Sequence, residues 1–358
     1  MNSTIFGYLY PKYTINKPIR LIELFAGIGS QAKALTRIGA NFEHYKVVEF
    51  DKYAIASYNA IHNTNFPTLD ITKIKAEDLE IVDVDKYEYI MTYSFPCQDL
   101  SISGLGKGMT KGESTRSGLL WEVERILDEC LDLNGNLPQC LLMENVPMIH
   151  SEKHVKDFKL WIQKLESLGY KNYIHDLNAK NYGIPQNRDR CFMVSVLGDY
   201  SYDFPAYIKL EKCLGDLLED EVDEKYLIPY KYLKMLEDKV FSTKRYIDDT
   251  KKLINGIYKE FAILDCRFDE GLRIRKNELS PTLCTRGRQS ISGIPIVYKN
   301  KKLRFLTEKE YFRLMGFDDE DFEKASKVNS NAQLYKQAGN SIVVNVLEAI
   351  FKEMMEEK

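Results

Sequence analysis

The sequence predicts an α/β protein in which a doubly wound parallel sheet is joined by a smaller domain of mostly β and irregular structure. Over the first two hundred residues, apolar strand-like runs alternate with segments of helical spacing, which is typical of repeated βα units. After Gly198 this alternation stops, and residues 199–305 are richer in Tyr, Lys and short β-like pieces. The chain of 358 residues is long enough to bury one large core and a second, smaller one.

The individual elements follow from the spacing of apolar residues. Strands are predicted over 19–25, 46–50, 89–93, 141–143 and 191–197, and helices over 31–38, 54–62, 119–131 and 158–168. Helical spacing returns over 308–315 and 342–355, and the last helix is expected to pack on the first domain because alone it would expose an apolar face. We therefore expect a ligand-binding and catalytic domain over 1–198, a second domain over 199–305, and a return segment over 306–358 that completes the first domain.

Charge is unevenly distributed along the chain. The formal net charge is −3 and the pI is about 6.1, which does not by itself indicate a nucleic-acid-binding protein. Residues 267–304, however, contain ten Lys or Arg and three Asp or Glu, a local net charge of +7. This stretch predicts a face that binds a polyanion, against the alternative of an ordinary solvated surface.

The seven cysteines indicate free thiols. They form no C-x-x-C pair and none stands at zinc-finger spacing from a histidine, so no metal site is expected. The first 18 residues lack the apolar stretch of a signal peptide, and no run reaches the roughly 18–20 apolar residues that span a bilayer. We therefore expect a cytoplasmic protein in which most cysteines are inert core residues.

A glycine-containing turn follows the first predicted strand. Residues 24–30 read LFAGIGS, and glycines at such a strand-to-helix turn let the backbone approach a ligand at the N–H groups of the helix. Glu49 lies twenty residues beyond Gly29, where a carboxylate can accept both hydroxyls of a ribose. This pattern does not separate NAD from S-adenosylmethionine, and a tight turn without a ligand remains an alternative. Asp70 can receive an adenine amino group, although an isolated Asp is more often a helix cap.

Cys97 is the cysteine whose surroundings favour reactivity. It lies between Pro96 and Gln98, after the third predicted strand and before a glycine-rich segment over 99–118. Strand ends of this kind face the ligand crevice of doubly wound folds, and a thiol at a loop or helix start can be activated. A buried structural cysteine is the alternative, and it suits Cys130 and Cys140 better because both stand among leucines.

Two further segments carry polar groups at strand ends. Glu144, in the sequence Glu-Asn-Val, follows an apolar strand and would lie at the same crevice edge as Cys97, where a carboxyl group in apolar surroundings can donate a proton. Arg188 and Arg190 occupy alternate positions of an extended segment, so their guanidinium groups are expected to point the same way, toward a carbonyl oxygen or a phosphate. A capped or ion-paired glutamate and an ordinary exposed arginine pair are the alternatives.

In order and spacing, these segments resemble the DNA cytosine-5 methyltransferase family, of bacterial or phage type. The matching blocks are FAGIGS, the Glu49 strand end, Asp70-Ile71, PCQ, SGLLWE, ENV, QNRDR and AGNS, and they cover nearly the whole chain apart from residues 1–18 and most of 199–300. One departure is Ser30, where the family usually has a second adjacent glycine. The resemblance implies the S-adenosylmethionine-dependent, Rossmann-like methyltransferase fold, with residues 199–305 as the target-recognition domain.

The resemblance also implies a covalent mechanism without a metal. The Cys97 thiolate would add to carbon 6 of a cytosine flipped out of duplex DNA, with Glu144 on ring N3, Arg190 on the carbonyl at position 2 and Arg188 stabilising the site. The methyl donor would be S-adenosylmethionine. The implied cofactor-binding residues are Phe25, Gly27, Ile28, Gly29, Glu49, Asp70, Ile71, Pro96, Leu119, Asn340 and Ser341. The implied DNA-binding residues are Gln98, Ser101, Lys107, Arg116, Thr282, Arg286, Arg288 and Gln289.

Three other functions stay open at this point. A transfer-RNA cytosine-5 methyltransferase shares the scaffold, but its usual Cys-Phe-Thr is here Cys191-Phe192-Met193. A catalytically idle DNA-binding relative would not need all four of the implied catalytic residues, and a nicotinamide enzyme leaves PCQ and ENV unexplained. We expect a monomer acting on double-stranded DNA, with a separately acting restriction endonuclease left open together with the recognition sequence.

Overall fold

The computed structural model describes residues 10–96, 109, 117–232, 234, 262–267, 271–275, 278–289 and 291–355. The described chain divides into two compact units. Unit 1 comprises residues 1–177, 189–206 and 346–358, and unit 2 comprises residues 178–188 and 207–345. Relative to the expected boundaries, residues 306–345 group with unit 2 and residues 178–188 leave the first domain. Within the described residues, no helix has both the length and the apolar composition needed to cross a bilayer.

Unit 1 is built on a six-stranded sheet in the order β2-β1-β3-β4-β7-β5. The strands are β1 (Ile19–Leu24), β2 (Phe42–Val48), β3 (Glu88–Tyr93), β4 (Cys140–Asn145), β5 (Tyr170–Asn178) and β7 (Asp189–Leu197). β2, β1, β3 and β4 pair in parallel, and β7 pairs antiparallel with β4. The α/β prediction is confirmed, but β7 departs from the expected all-parallel arrangement. The segment between β5 and β7 contains no crossover α-helix of the kind that a parallel connection needs.

Helices pack on this sheet because each presents an apolar stripe. They are α1 (Ser30–Arg37), α2 (Lys52–His62), α3 (Ala76–Leu79), α4 (Leu120–Asn134) and α5 (Val155–Ser167). Strands β3 and β4 are buried on both faces, as expected for the centre of such a sheet. The buried Trp161 of α5 donates a hydrogen bond of 3.0 Å to the Tyr93 hydroxyl, so the largest core side chain is also satisfied as a donor.

The C-terminal segment contributes to unit 1. Helix α9 (Val344–Lys352) reaches it from Val346 onward. The Tyr202 hydroxyl donates to the Ile350 carbonyl at 3.2 Å, and Arg37 Nε lies 3.0 Å from Glu348 Oε1. These contacts bury the apolar side of the helix, as its composition requires.

Unit 2 contains a four-stranded antiparallel sheet in the order β12-β11-β8-β9 and a two-stranded parallel pair, β10-β6. Its strands are β6 (Gln186–Asn187), β8 (Ala262–Arg267), β9 (Gly271–Arg275), β10 (Ser280–Pro281), β11 (Pro295–Lys299) and β12 (Lys302–Phe305). In the described part of unit 2, the helices are α6 (Glu308–Leu314), α7 (Asp319–Ser326) and α8 (Asn331–Asn340).

A buried ion pair joins the sheet of unit 2 to its helices. Arg304 of β12 donates to both carboxylate oxygens of Glu310 in α6, at 2.8 and 2.7 Å, and the two side chains are 3% and 0% exposed. Glu310 also accepts from the Thr307 N–H, which completes a capping box at the start of α6. Because the two side chains bond to each other through two hydrogen bonds and to further partners, the pair helps to hold α6 and the segment that follows it in unit 2.

Candidate active site

The turn after β1 is forced into a left-handed backbone. Phe25, Gly27 and Gly29 have φ values of 59°, 58° and 80°. Gly27 needs glycine for its backbone alone, because an added Cβ would meet no atom within 4 Å. A Phe at positive φ is uncommon and marks a turn that the surrounding structure holds in place. The turn therefore presents open backbone at the start of α1.

Gly29 is required for space as well as for conformation. A Cβ at this position would lie 2.3 Å from His62 Nε2 and 2.7 Å from Tyr58 Cε2, both on α2. His62 Nε2 also lies 3.1 Å from the Ile28 carbonyl oxygen, within hydrogen-bonding distance. Helix α2 thus packs directly against the glycine turn.

Glu49 is bound directly to this turn. It follows β2, and its Oε2 accepts from the Gly27 N–H at 2.8 Å while its Oε1 accepts from the Asp51 N–H at 2.7 Å. Burial raises the pKa of the carboxyl group, and the two backbone hydrogen bonds oppose that rise. The structure brings together the turn and the carboxylate that the sequence places 20 residues apart.

Asp70 and Ile71 lie in a segment that is hydrogen-bonded to the chain just beyond β2. The Leu69 N–H donates to the Glu49 carbonyl at 2.9 Å. Asp70 caps the short 3-10 helix Ile71–Lys73, because its carboxylate accepts from the N–H and the hydroxyl of Thr72 at 3.1 and 2.8 Å. These hydrogen bonds lower the pKa of Asp70. The cap that the sequence offers as an alternative is therefore present.

The backbone before the predicted nucleophile is anchored on two sides. The Asn145 amide donates to the Phe95 carbonyl at 3.1 Å, and the Ser117 hydroxyl donates to the Pro96 carbonyl at 2.7 Å. Leu119, in the 3-10 helix Ser117–Leu119, packs against the main core. Cys97 itself lies outside the described residues, as do the predicted DNA-binding residues Gln98, Ser101, Lys107 and Arg116.

Glu144 and Arg190 form an ion pair at the end of β4. Arg190 Nε lies 3.0 Å from Glu144 Oε1, and the side chains are 16% and 11% exposed. Arg190 Nη1 also donates to the Asp189 carbonyl at 2.7 Å. The antiparallel register of β4 and β7 pairs Glu144 with Phe192, which brings Arg190 to the same end of the sheet. The carboxyl group of Glu144 and the guanidinium group of Arg190 can both form hydrogen bonds to a polar ring that lies at this strand end.

Arg188 and Arg190 have different hydrogen-bonding partners. Arg188 is 3% exposed and donates to the carbonyl oxygens of Leu283, Gly339 and Ser341 at 3.3, 3.1 and 2.9 Å, all within unit 2. Burial alternates along this segment, since Gln186 and Arg188 are buried whereas Asn187 and Asp189 are exposed.

The buried Gln186 was not predicted from the sequence as a site residue. Its amide donates to the Leu314 carbonyl at 2.8 Å and accepts from the Leu283 N–H at 3.0 Å. The motif letters QNRDR were the available signal, but they do not reveal that the glutamine and the first arginine bind backbone groups of unit 2.

Asn340 and Ser341 lie at the end of α8 in unit 2. Asn340 is exposed, whereas Ser341 is buried and its hydroxyl donates to the Gln337 carbonyl at 2.8 Å. The preceding Gly339 has no room for a side chain, because a Cβ would lie 2.7 Å from the Cys284 carbonyl carbon. The AGNS block is therefore a close approach between α8 and the chain at residues 284–285.

The predicted DNA-binding residues of unit 2 differ in their exposure and in their contacts with the rest of the protein. Thr282 donates to the Asn187 carbonyl at 2.8 Å. Arg288 donates to the Lys225 carbonyl at 2.8 Å and its guanidinium carbon lies 5.3 Å from the centre of the Tyr226 ring. Arg286 and Gln289 are exposed at either end of the turn around Gly287.

A buried polar network behind the glycine turn was not predicted from the sequence. The Tyr58 hydroxyl donates to Glu23 Oε2 at 2.5 Å, and His44 Nδ1 lies 2.8 Å from that hydroxyl. Burial raises the pKa of Glu23 to about 7 and lowers the pKa of His62 to about 3. Glu23 also accepts from the N–H of Ala32 in the first turn of α1. An acidic residue inside an apolar strand was the signal available in the sequence.

Comparisons with known proteins agree on one family. Residues 19–356 match the model of the C-5 cytosine-specific DNA methylases. The type II methyltransferase M2.ScrFI of Lactococcus lactis subsp. cremoris is 34% identical over 385 residues, which cover 94% of this chain and 99% of the relative. The orphan methyltransferase M.SssI of Spiroplasma monobiae is 32% identical, with 94% and 97% covered.

Solved structures share the fold. The Entamoeba histolytica methyltransferase EhMeth superposes with a TM-score of 0.69 at 20% identity, covering 95% of this chain and 98% of that one. The S. pombe Dnmt2 methyltransferase superposes with a TM-score of 0.66 at 20% identity, covering 93% and 97%. At this identity the likeness concerns the fold alone.

The network behind the turn predicts a pH-dependent stability. Because the pKa of Glu23 rises from 4.5 to about 7 on folding, the folded chain retains a proton that the unfolded chain loses above pH 4.5. The contribution of Glu23 to stability is therefore complete below pH 4.5 and declines as the pH rises to about 7. Relative to Glu23→Gln, the native protein should lose about 3 kcal/mol of unfolding free energy across that interval.

Urea unfolding of both proteins at several pH values measures this difference. His62 is present in both proteins and cancels. Glu77→Gln, an exposed change in α3, is the matched control and should leave the pH dependence unaltered. A constant difference between native protein and Glu23→Gln from pH 4.5 to pH 7 would contradict the assignment of Glu23.

Proposed function

Because the chain belongs to the C-5 cytosine-specific DNA methylase family, we propose that Cys97 is the nucleophile with which it methylates cytosine. The protein is a DNA (cytosine-5)-methyltransferase with the fold of the S-adenosylmethionine-dependent methyltransferases, and S-adenosylmethionine is its methyl donor. One observation carries the proposal for Cys97. Asn145, which follows Glu144 directly, holds the Phe95 carbonyl two residues before the cysteine.

The proposed reaction begins with covalent addition. The Cys97 thiolate forms a bond to carbon 6 of the cytosine, and the displaced electron pair is accommodated as Glu144 protonates ring N3. Arg190 donates to the carbonyl oxygen at position 2, which draws electron density in the same direction. Carbon 5 becomes nucleophilic as a result and would accept the methyl group that S-adenosylmethionine supplies when bound. Loss of the carbon-5 proton, elimination of the Cys97 thiolate and return of the N3 proton to Glu144 then restore the aromatic ring.

The ion pair between Glu144 and Arg190 supports these two roles. The carboxyl and guanidinium groups are 3.0 Å apart and mostly buried, so they are held for adjacent positions on one ring. Arg188 is proposed as a positioning residue. Its guanidinium group organises the Leu283, Gly339 and Ser341 backbone within unit 2.

Residues of unit 1 fit the methyl donor. S-adenosylmethionine supplies an electrophilic methyl group, and its ribose hydroxyls suit a carboxylate. The open backbone at Gly27 and the Glu49 carboxylate bound to it are proposed to hold the nucleoside part. The other proposed cofactor residues of unit 1 are Phe25, Ile28, Gly29, Asp70, Ile71, Pro96 and Leu119. Asn340 and Ser341, which belong to unit 2, are proposed from the resemblance alone.

The DNA is proposed to be double-stranded, with the target cytosine flipped out at a cost of a few kcal/mol. Residues 199–305 are proposed to recognise the sequence, through Thr282, Arg286, Arg288 and Gln289 together with Gln98, Ser101, Lys107 and Arg116. We expect a monomer that acts in the cytoplasm, where bacterial and phage DNA lies. The type II methyltransferases among its relatives support the further proposal that a restriction endonuclease acts separately on the same sequence.

Trapping with 5-fluorocytosine tests the proposed nucleophile. In duplex DNA that carries this base, fluorine replaces the carbon-5 proton whose loss permits elimination, so the bond between Cys97 and carbon 6 should persist. With S-adenosylmethionine present, the native chain should give an adduct that survives a denaturing gel, and Cys97→Ser should give none.

Cys213→Ser is the matched control, because Cys213 is a partly exposed free thiol of unit 2. This variant should form the adduct as the native chain does. An adduct that survives in Cys97→Ser, or that disappears in Cys213→Ser, means that another cysteine is the nucleophile.

The proposed cofactor contact predicts a selective loss of affinity. Glu49→Gln keeps one acceptor but places an amide donor against the Gly27 or the Asp51 N–H. The dissociation constant for S-adenosylmethionine should rise roughly 10- to 100-fold, the value of one hydrogen bond to a charged group. Isothermal titration calorimetry measures this dissociation constant. Glu43→Gln, an exposed change on β2, the strand that precedes Glu49, should bind as the native chain does, and equal binding by Glu49→Gln would refute the contact.

The exposed Arg286 predicts an effect on sequence choice. We expect the Arg286 guanidinium group to form hydrogen bonds to a base edge. Arg286→Ala should then weaken binding to the target duplex roughly 5- to 150-fold and broaden the set of sequences that are methylated. Bisulfite sequencing of DNA treated with each variant measures the second effect. Lys327→Ala, an exposed change just beyond α7, should alter neither property. A uniform loss without broadening would instead indicate a phosphate contact.

A further inference from the structure

One group of side chains in unit 1 brings together an imidazole, a carboxylate and a thiol. His150 ends the 3-10 helix Pro147–His150, Asp176 lies on β5, and Cys191 lies on β7. One ligand atom from each residue lies within 4.8 Å of the other two, and in the part of the chain that the structure describes no second group of this kind occurs. None of the three has a role in the proposed methyl transfer.

The three residues are carried on connected elements. β7 lies between β4 and β5 in the sheet, and Cys191 pairs with Asn145 in the β4–β7 register. The helix that carries His150 begins two residues beyond Asn145. Two of the three groups therefore stand on neighbouring strands, which fixes their separation, and the third stands on a short helix that directly follows β4.

The group has a buried end and an open end. Cys191 is fully buried, whereas the side chains of His150 and Asp176 are 42% and 38% exposed. His150 Nε2 lies 3.0 Å from Asp176 Oδ2 and 3.1 Å from Oδ1. A small ion from solvent can therefore reach the imidazole and the carboxylate first and the thiol last.

The surroundings of Cys191 are anionic. The carboxylate groups of Asp176 and Glu144 both act electrostatically on its thiol. A site of this polarity attracts a cation. The Arg190 guanidinium is already paired with Glu144, so the Asp176 carboxylate faces the imidazole and the thiol.

We propose that His150, Asp176 and Cys191 bind one thiophilic divalent cation of the Zn²⁺ class. Nitrogen, oxygen and sulfur from three side chains, with water as a fourth ligand, are a coordination set that Zn²⁺ accepts, whereas Mg²⁺ and Ca²⁺ require oxygen ligands. As the metal–sulfur bond forms, the thiol gives up its proton to solvent. The bound ion would fasten the segment after β4 to β5 and β7, a function separate from methyl transfer.

Cobalt and zinc titrations of the full chain test the site. A Cys97→Ser background removes the proposed nucleophile as a competing ligand. Co²⁺ should bind one per chain and give a sulfur-to-cobalt charge-transfer absorption, which Zn²⁺ abolishes by displacement. Cys191→Ser should lose this absorption, and the matched change Cys213→Ser should keep it, since Cys213 is also a free cysteine hydrogen-bonded to an aspartate.

His150→Gln separates metal binding from a purely hydrogen-bonded group. Gln can still bond to Asp176 but is not an imidazole ligand, and the half-exposed position tolerates the change. Without metal, the melting temperature of His150→Gln should equal that of the parent. With Zn²⁺, the parent should melt at a higher temperature and the variant should not. The Zn²⁺ dissociation constant should rise at least about 10- to 100-fold, since even outer partners of a metal ligand have that effect.

Two results would overturn the site. The first is an absence of saturable Co²⁺ or Zn²⁺ binding by the Cys97→Ser chain. The second is a charge-transfer absorption that persists in Cys191→Ser or is lost in Cys213→Ser. If Cys191→Ser does not fold, the His150→Gln titration decides alone, because unchanged Zn²⁺ affinity in that variant contradicts the proposal.

Discussion

Four parallel strands, β2, β1, β3 and β4, end at the same edge of one sheet. The positions of the candidate active-site residues of unit 1 depend on this arrangement. The glycine turn, Glu49 and Pro96 follow three of these strand ends, and Glu144 is the next-to-last residue of β4. Hydrogen bonds then fix neighbouring segments to each other, from the Gly27 N–H to Glu49 and from the Asn145 amide to the Phe95 carbonyl. A doubly wound sheet collects polar groups at this edge because its interior cannot accept them.

Charged groups in this protein are buried where each has several partners. Arg304 and Glu310 satisfy each other bidentately, and Arg188 donates to three carbonyl oxygens. Glu23 is buried between the Tyr58 hydroxyl and the Ala32 N–H, and its raised pKa shows that burial outweighs these bonds. The pair of Glu144 and Arg190 is more exposed than that of Arg304 and Glu310, as suits groups that are proposed to exchange their mutual contact for a substrate.

The two arginines of the QNRDR block show which structural details a sequence motif does not specify. They occupy alternate positions of one segment, and one guanidinium binds backbone in unit 2 while the other pairs with Glu144 in unit 1. These partners come from distant parts of the chain, which a local residue pattern does not record. In the same way, the cysteine spacing gives no sign of the group formed by His150, Asp176 and Cys191, because these residues are far apart in the sequence and meet through the sheet.

The sequence by itself determined the fold class, the order of the blocks and the family, because apolar periodicity and short motifs are local properties. It also determined which strand ends carry Gly27, Glu49 and Glu144. The tertiary structure decided the antiparallel direction of β7, the grouping of residues 306–345 with unit 2, and the network of Glu23, Tyr58 and His44 behind the turn. Each of these depends on contacts between residues far apart in the chain, where burial and hydrogen bonding select partners that local spacing cannot specify.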